Sequence, residues 1–260
     1  MKYQSLFIFM FLSCFSSFPA VAKTDITLGI YASDITYTEP DVMQEKGALK
    51  GIVGGVIFNR GGAFQAFEIA YARGEMDYVG SGTINDIPDE VFEIRGLFGR
   101  HFNLNRDFHL SPYLGLGYRY LNDDSSGLVS STGASGYERE QVYFYMPIGL
   151  EFKKSSEVLG FKLSSRIEYD YFISGFNRSH LGEIGGSYEN ITLNQHDGRG
   201  YRVSVGFTKA FKNGSSLTIE PFYRYWHIED SEITYDANNT GWIEPDNNSK
   251  EIGIALFLRI

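Results

Sequence analysis

The chain has little cysteine, proline or basic charge, and each shortage narrows what it can be. Cys14 is the one cysteine, and only 7 of the 260 residues are proline. With no second cysteine, no disulfide can form within the chain, so the fold needs none. Lys and Arg total 23 against 32 Asp and Glu, a formal charge of -9, and the basic residues form no cluster. That balance excludes a nucleic-acid binder. Past residue 22 no apolar run approaches the ~18 residues of a membrane-spanning helix. A spanning helix is thereby excluded, but a spanning β-barrel is not. No H-E-x-x-H motif and no EF-hand spacing occurs, and nothing in the sequence implies a cofactor or a metal.

What is present begins with a targeting segment. Lys2 supplies a positive start, Leu6 to Phe15 an apolar run, and Ala20-Val21-Ala22 a small-x-small cleavage site. Residues 1–22 therefore read as a cleaved signal peptide. The mature domain is then 23–260, with a charge of -10 once Lys2 is gone. Cys14 leaves with the signal, and Phe11 stands where a lipidation signal wants leucine. Aromatic residues are plentiful, with 18 Tyr and 21 Phe, and glycine reaches 29.

The deciding pattern is alternation with period two. Val142, Phe144, Met146, Ile148, Leu150 and Phe152 share one face of a strand. Tyr201, Val203, Val205 and Phe207 alternate with Arg202, Ser204 and Gly206. Ten such strands are expected, near 24–32, 50–59, 63–77, 89–101, 110–121, 138–153, 159–174, 199–211, 216–229 and 250–260. Many match the ~9–11 residues that cross a bilayer at a tilt. Links of a few residues follow the even strands, among them Lys212-Asn213-Gly214-Ser215, whose Asn-Gly pair suits a tight hairpin. Long polar links follow the odd strands: 33–49, 78–88, 122–137, 175–198 and 230–249.

Short turns at one end and long loops at the other are the outer-membrane pattern. The expected fold is all-β: one transmembrane antiparallel barrel of about ten strands, with eight or twelve as alternatives. Its termini and short turns would be periplasmic and its long loops extracellular. Tyr118, Tyr120, Tyr169, Tyr171, Tyr223, Tyr225 and Trp226 fall before long loops. Phe102, Phe108, Tyr113, Phe152 and Phe211 fall near short turns, so the two sets suggest interfacial belts. A secreted β-sandwich also alternates, but it needs neither long strands nor two belts. The expected partners are outer-membrane lipid, lipopolysaccharide, the barrel-assembly machinery and an extracellular ligand.

If the apolar face meets lipid, the other face fills the lumen. It carries Glu68, Glu93, Arg95, Arg119, Glu151, Lys162, Arg166, Glu168, Asp170, Arg202, Glu220, Arg224 and Glu251. Charges of both signs in a narrow lumen should pair, giving a plugged interior. The loop acids, among them Glu39, Glu45, Asp123 and Glu244, read as solvated loop charge or as weak divalent-cation ligands.

The segments Pro112–Tyr120, Phe144–Leu150 and Gly200–Gly206 resemble strands of the omptin family of outer-membrane proteases in style and order. Omptins carry an Asp-x-His pair above the seventh strand and an acidic pair on an earlier loop. Here Arg178-Ser179-His180 keeps the histidine and has arginine in the acidic position. The resemblance implies His180 as a catalytic residue with a carboxylate from Asp86, Asp89 or Asp197. His196 adjoins Asp197, but neighbours on a strand point to opposite faces. Three functions are thus expected: a non-enzymatic surface barrel, an omptin-like peptidase, or a narrow solute channel.

Overall fold

A computed structural model describes residues 23–185 and 188–260. The expected signal peptide, 1–22, lies outside the described residues. Ten long strands form the molecule: β1 (Lys23–Glu39), β2 (Met43–Arg60), β3 (Ala63–Val79), β4 (Thr83–Arg100), β5 (Phe108–Asp124), β6 (Glu138–Val158), β7 (Phe161–Ser179), β8 (Gly198–Ala210), β9 (Ser216–Ile228) and β10 (Asn247–Arg259). Each pairs antiparallel with its chain neighbour, and β1 pairs with β10 from Thr27↔Arg259 to Thr38↔Asn248. The sheet is therefore a closed ten-stranded barrel without a free edge. Ile26 and Ile260 exchange both backbone hydrogen bonds, at 3.2 and 3.0 Å, and seal the seam.

The outward face is apolar along a central band. Ile26, Leu28 and Ile30 on β1, Ile52 on β2, Val203, Val205 and Phe207 on β8, and Ile252, Ile254, Leu256 and Leu258 on β10 are all exposed. In water such a surface would be untenable; against lipid tails it is the required solvent contact. Rings mark the border of the band: Tyr169 packs on Tyr201 at 5.4 Å between centroids, and Tyr118 on Phe144 at 5.3 Å.

Two features differ from the sequence reading. The links 33–49 and 78–88 are not loops. β1 and β2 stay paired up to Glu39↔Met43, leaving only residues 40–42 as a turn, and residues 80–82 turn between β3 and β4. Apolar alternation stops there because the wall has risen beyond the lipid band; backbone pairing continues with Thr36, Thr38 and Gln44 outward. Trp226 and Tyr113 are also not belt residues. They are 1% and 5% exposed and face the lumen, because each lies two residues along the strand from inward neighbours such as Arg224 and Ser111.

The three remaining long-end links carry small structures of their own. Residues 125–137 form an uncharged loop pinned by a Val129↔Ser135 bridge. Ile191–Gln195 pairs with the end of β7, and a 3-10 turn spans Leu181–Ile184. Thr234–Tyr235 and Gly241–Trp242 form a hairpin within the last link.

Candidate functional site

The middle of the lumen is crossed by a ladder of ion pairs. Arg166 donates to Glu68 at 3.2 Å, and Arg95 bridges Glu68 to Glu168, the latter at 2.5 Å. Arg202 Nε reaches Asp170 at 2.8 Å and Glu168 at 3.1 Å, while its other nitrogens clamp both oxygens of Glu93. Tyr113 donates to Glu168 and Tyr145 to Glu93, each at 2.7 Å. To one side Arg224 meets Glu251 at 3.3 Å, and Ser33 donates to Glu251 at 2.8 Å. Guanidinium forks suit such carboxylate networks because they donate in a plane to two acceptors.

Four charges stand apart from the ladder. Glu151 pairs with Lys153 at 2.7 Å near the short-turn end. Lys162 is exposed at that end, and Glu220 lines a cavity of about 240 Å³ beside Glu68 and Arg224. Arg119 is fully enclosed, and its Nε and Nη1 have no hydrogen-bond partner among the described residues.

A layer of rings stands on the ladder. Tyr143, Tyr145, Phe172, Trp226 and Ile228 are almost wholly buried. Trp226 lies 5.0 Å from Tyr145 and 5.7 Å from Tyr143. Tyr145 fits because β5 has Gly117 beneath it; a Cβ there would come within 2.1 Å of the ring. Tyr113 lies over Gly149 in the same way, at 2.2 Å.

Above the rings the long-loop end closes on a single arginine. Arg139 meets Asp123 at 2.6 Å, Glu45 at 2.8 Å and Glu39 at 3.2 Å. The last link folds inward and buries Glu244, which accepts from Asn177 at 2.8 Å and Tyr37 at 3.2 Å. Burial, with Glu39 nearby, pushes the Glu244 carboxyl up to about 7. Glu39, Glu45, Asp123 and Glu244 are thus not solvated loop charges: the strand extension turns the first three inward, and the loop tucks in the fourth. Sequence reading missed Arg139 as their hub. The continued inward parity Tyr143–Gln141–Arg139 was the signal for it.

The four residues considered for catalysis do not converge. Ser179 pairs with Arg139, Arg139 with Asp123, and Asp123 with Asp89, so all four lie on the inward face. His180 follows Ser179 and faces outward, where its Nε2 meets Glu140 Oε2 at 3.1 Å and Glu138 Oε2 at 3.9 Å. Asp89 is therefore on the opposite side of the wall from His180. Asp86 sits at a bulge of β4 in a left-handed conformation (φ 58°), with its N–H donating to Asp77 at 3.2 Å. Asp197 is exposed, and its carbonyl accepts the Glu229 N–H at 3.0 Å. His196 contacts Glu232 at 3.4 Å rather than Asp197.

The links at the long-loop end share one more property. Residues 40–42, 80–82, 125–137, 180–197 and 229–246 together hold ten Asp and Glu and no Lys or Arg. The nearest basic side chains, such as Arg178, belong to the strand walls.

A closed barrel with a lipid-facing band and a charged lumen defines an outer-membrane β-barrel protein. The family model of the autotransporter β-domain matches residues 53–221, well over half of the 260, and the chain belongs to that family. Among solved structures it is similar to the outer membrane protease OmpT from Escherichia coli. Identity there is 13%, coverage is 93% of this chain and 98% of that one, and the TM-score is 0.64. It is also similar to the translocator domain of autotransporter NalP from Neisseria meningitidis, at 10% identity, 98% and 94% coverage and a TM-score of 0.45. At these identities the likeness to OmpT speaks to the fold alone. No curated protein matches the chain.

Proposed function

We propose that this chain is a non-conducting surface barrel whose long-loop end faces the cell exterior and binds a cationic partner, such as a basic polypeptide segment. The observation that carries this reading is the rim of nine carboxylates, the ten of the connecting links less the buried Glu244, without a single Lys or Arg in those links. Such a rim attracts basic ligands over roughly a Debye length, ~8 Å at physiological salt. The ion-pair ladder, the ring layer and the Arg139 cluster lie one above another in the lumen and support the absence of conduction. In this reading residues 1–22 are removed on export, residues 23–260 insert as one domain, and the termini are periplasmic.

The test uses the folded barrel in vesicles with a fluorescent lysine-rich peptide. We expect saturable binding that weakens steeply with salt and falls when Glu229, Asp230, Glu232, Asp236 and Asp246 are changed to Asn or Gln. Planar-bilayer recording should show no steps. Binding equal to that of the neutralised variant would refute the reading. So would stepwise conductance, which would make it a channel, or cleavage of the peptide seen by mass spectrometry, which would make it a peptidase.

A further inference from the structure

We propose that Glu138, His180 and Glu183 form a binding site for a divalent transition-metal ion, of the Zn²⁺ or Mn²⁺ kind, on the outer wall at the long-loop end. The site is distinct from the lumen, because Glu138, Glu140 and His180 all project from the outward face.

The backbone builds the site. His180 N–H donates to the Glu138 carbonyl at 3.0 Å, which sets the histidine beside the first residue of β6. The chain then makes its 3-10 turn, with Glu183 N–H donating to the His180 carbonyl at 3.0 Å. Leu181, packed with Ile191 and Leu193, anchors that turn. The turn returns Glu183 to the cluster, where one of its oxygens accepts the Glu138 N–H at 3.0 Å. One donor atom from each of Glu138, His180 and Glu183 lies within 4.8 Å of the others. Donors around a tetrahedral Zn²⁺ with bonds of 2.0–2.2 Å sit roughly 3.3–3.5 Å apart. Small side-chain rotations therefore suffice to close the set.

The surroundings favour a cation. Glu140 adds a third carboxylate, 3.1 Å from the imidazole, and Arg178 pairs with it at 3.3 Å. Glu138 is oriented by Asn122, which donates to it at 2.6 Å, and Asn190 abuts the other imidazole nitrogen at 3.4 Å. Outer contacts of this kind hold ligands in place. The mixture of imidazole and carboxylate suits Zn²⁺ or Mn²⁺ better than Ca²⁺, which prefers oxygen alone, and the absence of sulfur excludes a site for Cu(I). His180 and Glu138 keep about a fifth to a third of their side chains accessible, at 21% and 30%, so an ion can enter.

The experiment is calorimetric titration of the refolded full-length barrel with ZnCl₂, paired with the visible absorption of bound Co²⁺. We expect one ion per barrel, with His180→Ala and Glu183→Gln each weakening binding at least tenfold and removing the Co²⁺ bands. His196→Ala, in the exposed pair with Glu232, should leave binding unchanged. Because Glu183 lies in a surface turn, its variant decides the matter if His180→Ala fails the heat-dependent gel shift that reports folding. Binding that persists in Glu183→Gln, or loss of the ion in His196→Ala instead, would overturn the proposal, as would no detectable binding to the wild-type barrel at ~1 mM Zn²⁺.

Discussion

Replacing Arg202 with methionine strips the lumen of its most connected cation. The guanidinium holds Glu93 through two nitrogens and reaches Asp170 and Glu168 through the third. Those carboxylates are 4%, 0% and 2% exposed, so water cannot replace the lost partner. Glu168 keeps Arg95 and Tyr113, and Glu93 keeps Tyr145; Asp170 is left with no hydrogen-bond partner among the described residues. Breaking a buried pair by removing one side costs about 3–5 kcal/mol, a large share of the ~5–15 kcal/mol that holds a typical domain. Trp226, stacked edge-on to Tyr145, is the natural reporter in a Trp242→Phe background. Denaturant unfolding of the barrel in vesicles should show a stability loss of that size. Adding Glu93→Gln and Asp170→Asn to Arg202→Met should recover part of it, since the uncompensated charges are then gone. A loss below about 1 kcal/mol, the level of an exposed pair, would refute the reasoning. It would mean that the lumen is hydrated like a surface.

Two further predictions concern the ring layer and the cap. Gly117→Ala places a Cβ within 2.1 Å of the Tyr145 ring, so overpacking should cost about 1–3 kcal/mol and lower the temperature of the gel shift; an unchanged midpoint would show that the ring is free to move. The Glu244 carboxyl holds its proton more tightly in the folded cap than in the unfolded chain, so it favours the folded cap in mild acid and loses that contribution as pH rises from about 4.5 toward about 7. Hydrogen exchange across residues 230–246, corrected for intrinsic rate, should therefore be faster at pH 8 than at pH 6. Glu244→Gln should remove the difference, and a persistent one would point to another group.

The sequence by itself determined the strands that touch lipid. A lipid-facing strand must place an apolar residue at every second position, so each crossing could be counted and its inward charges named, from Glu68 to Glu251. Above the band that constraint disappears. The outward face of β1 and β2 turns polar there while the inward face mixes buried Ile35, Tyr37, Met43 and Leu49 with Glu39 and Glu45, so residues 33–49 look like a loop although every residue up to the turn is paired. Tertiary structure alone decided the partners. Arg202 and Glu93 are 109 residues apart and Arg139 and Glu39 are 100 apart; closure of the barrel brings them together. It also separated His180 from Asp89. Side chains alternate across a wall one strand thick, so the register that turns Asp89 into the lumen sends His180 outward, to Glu138 and Glu140.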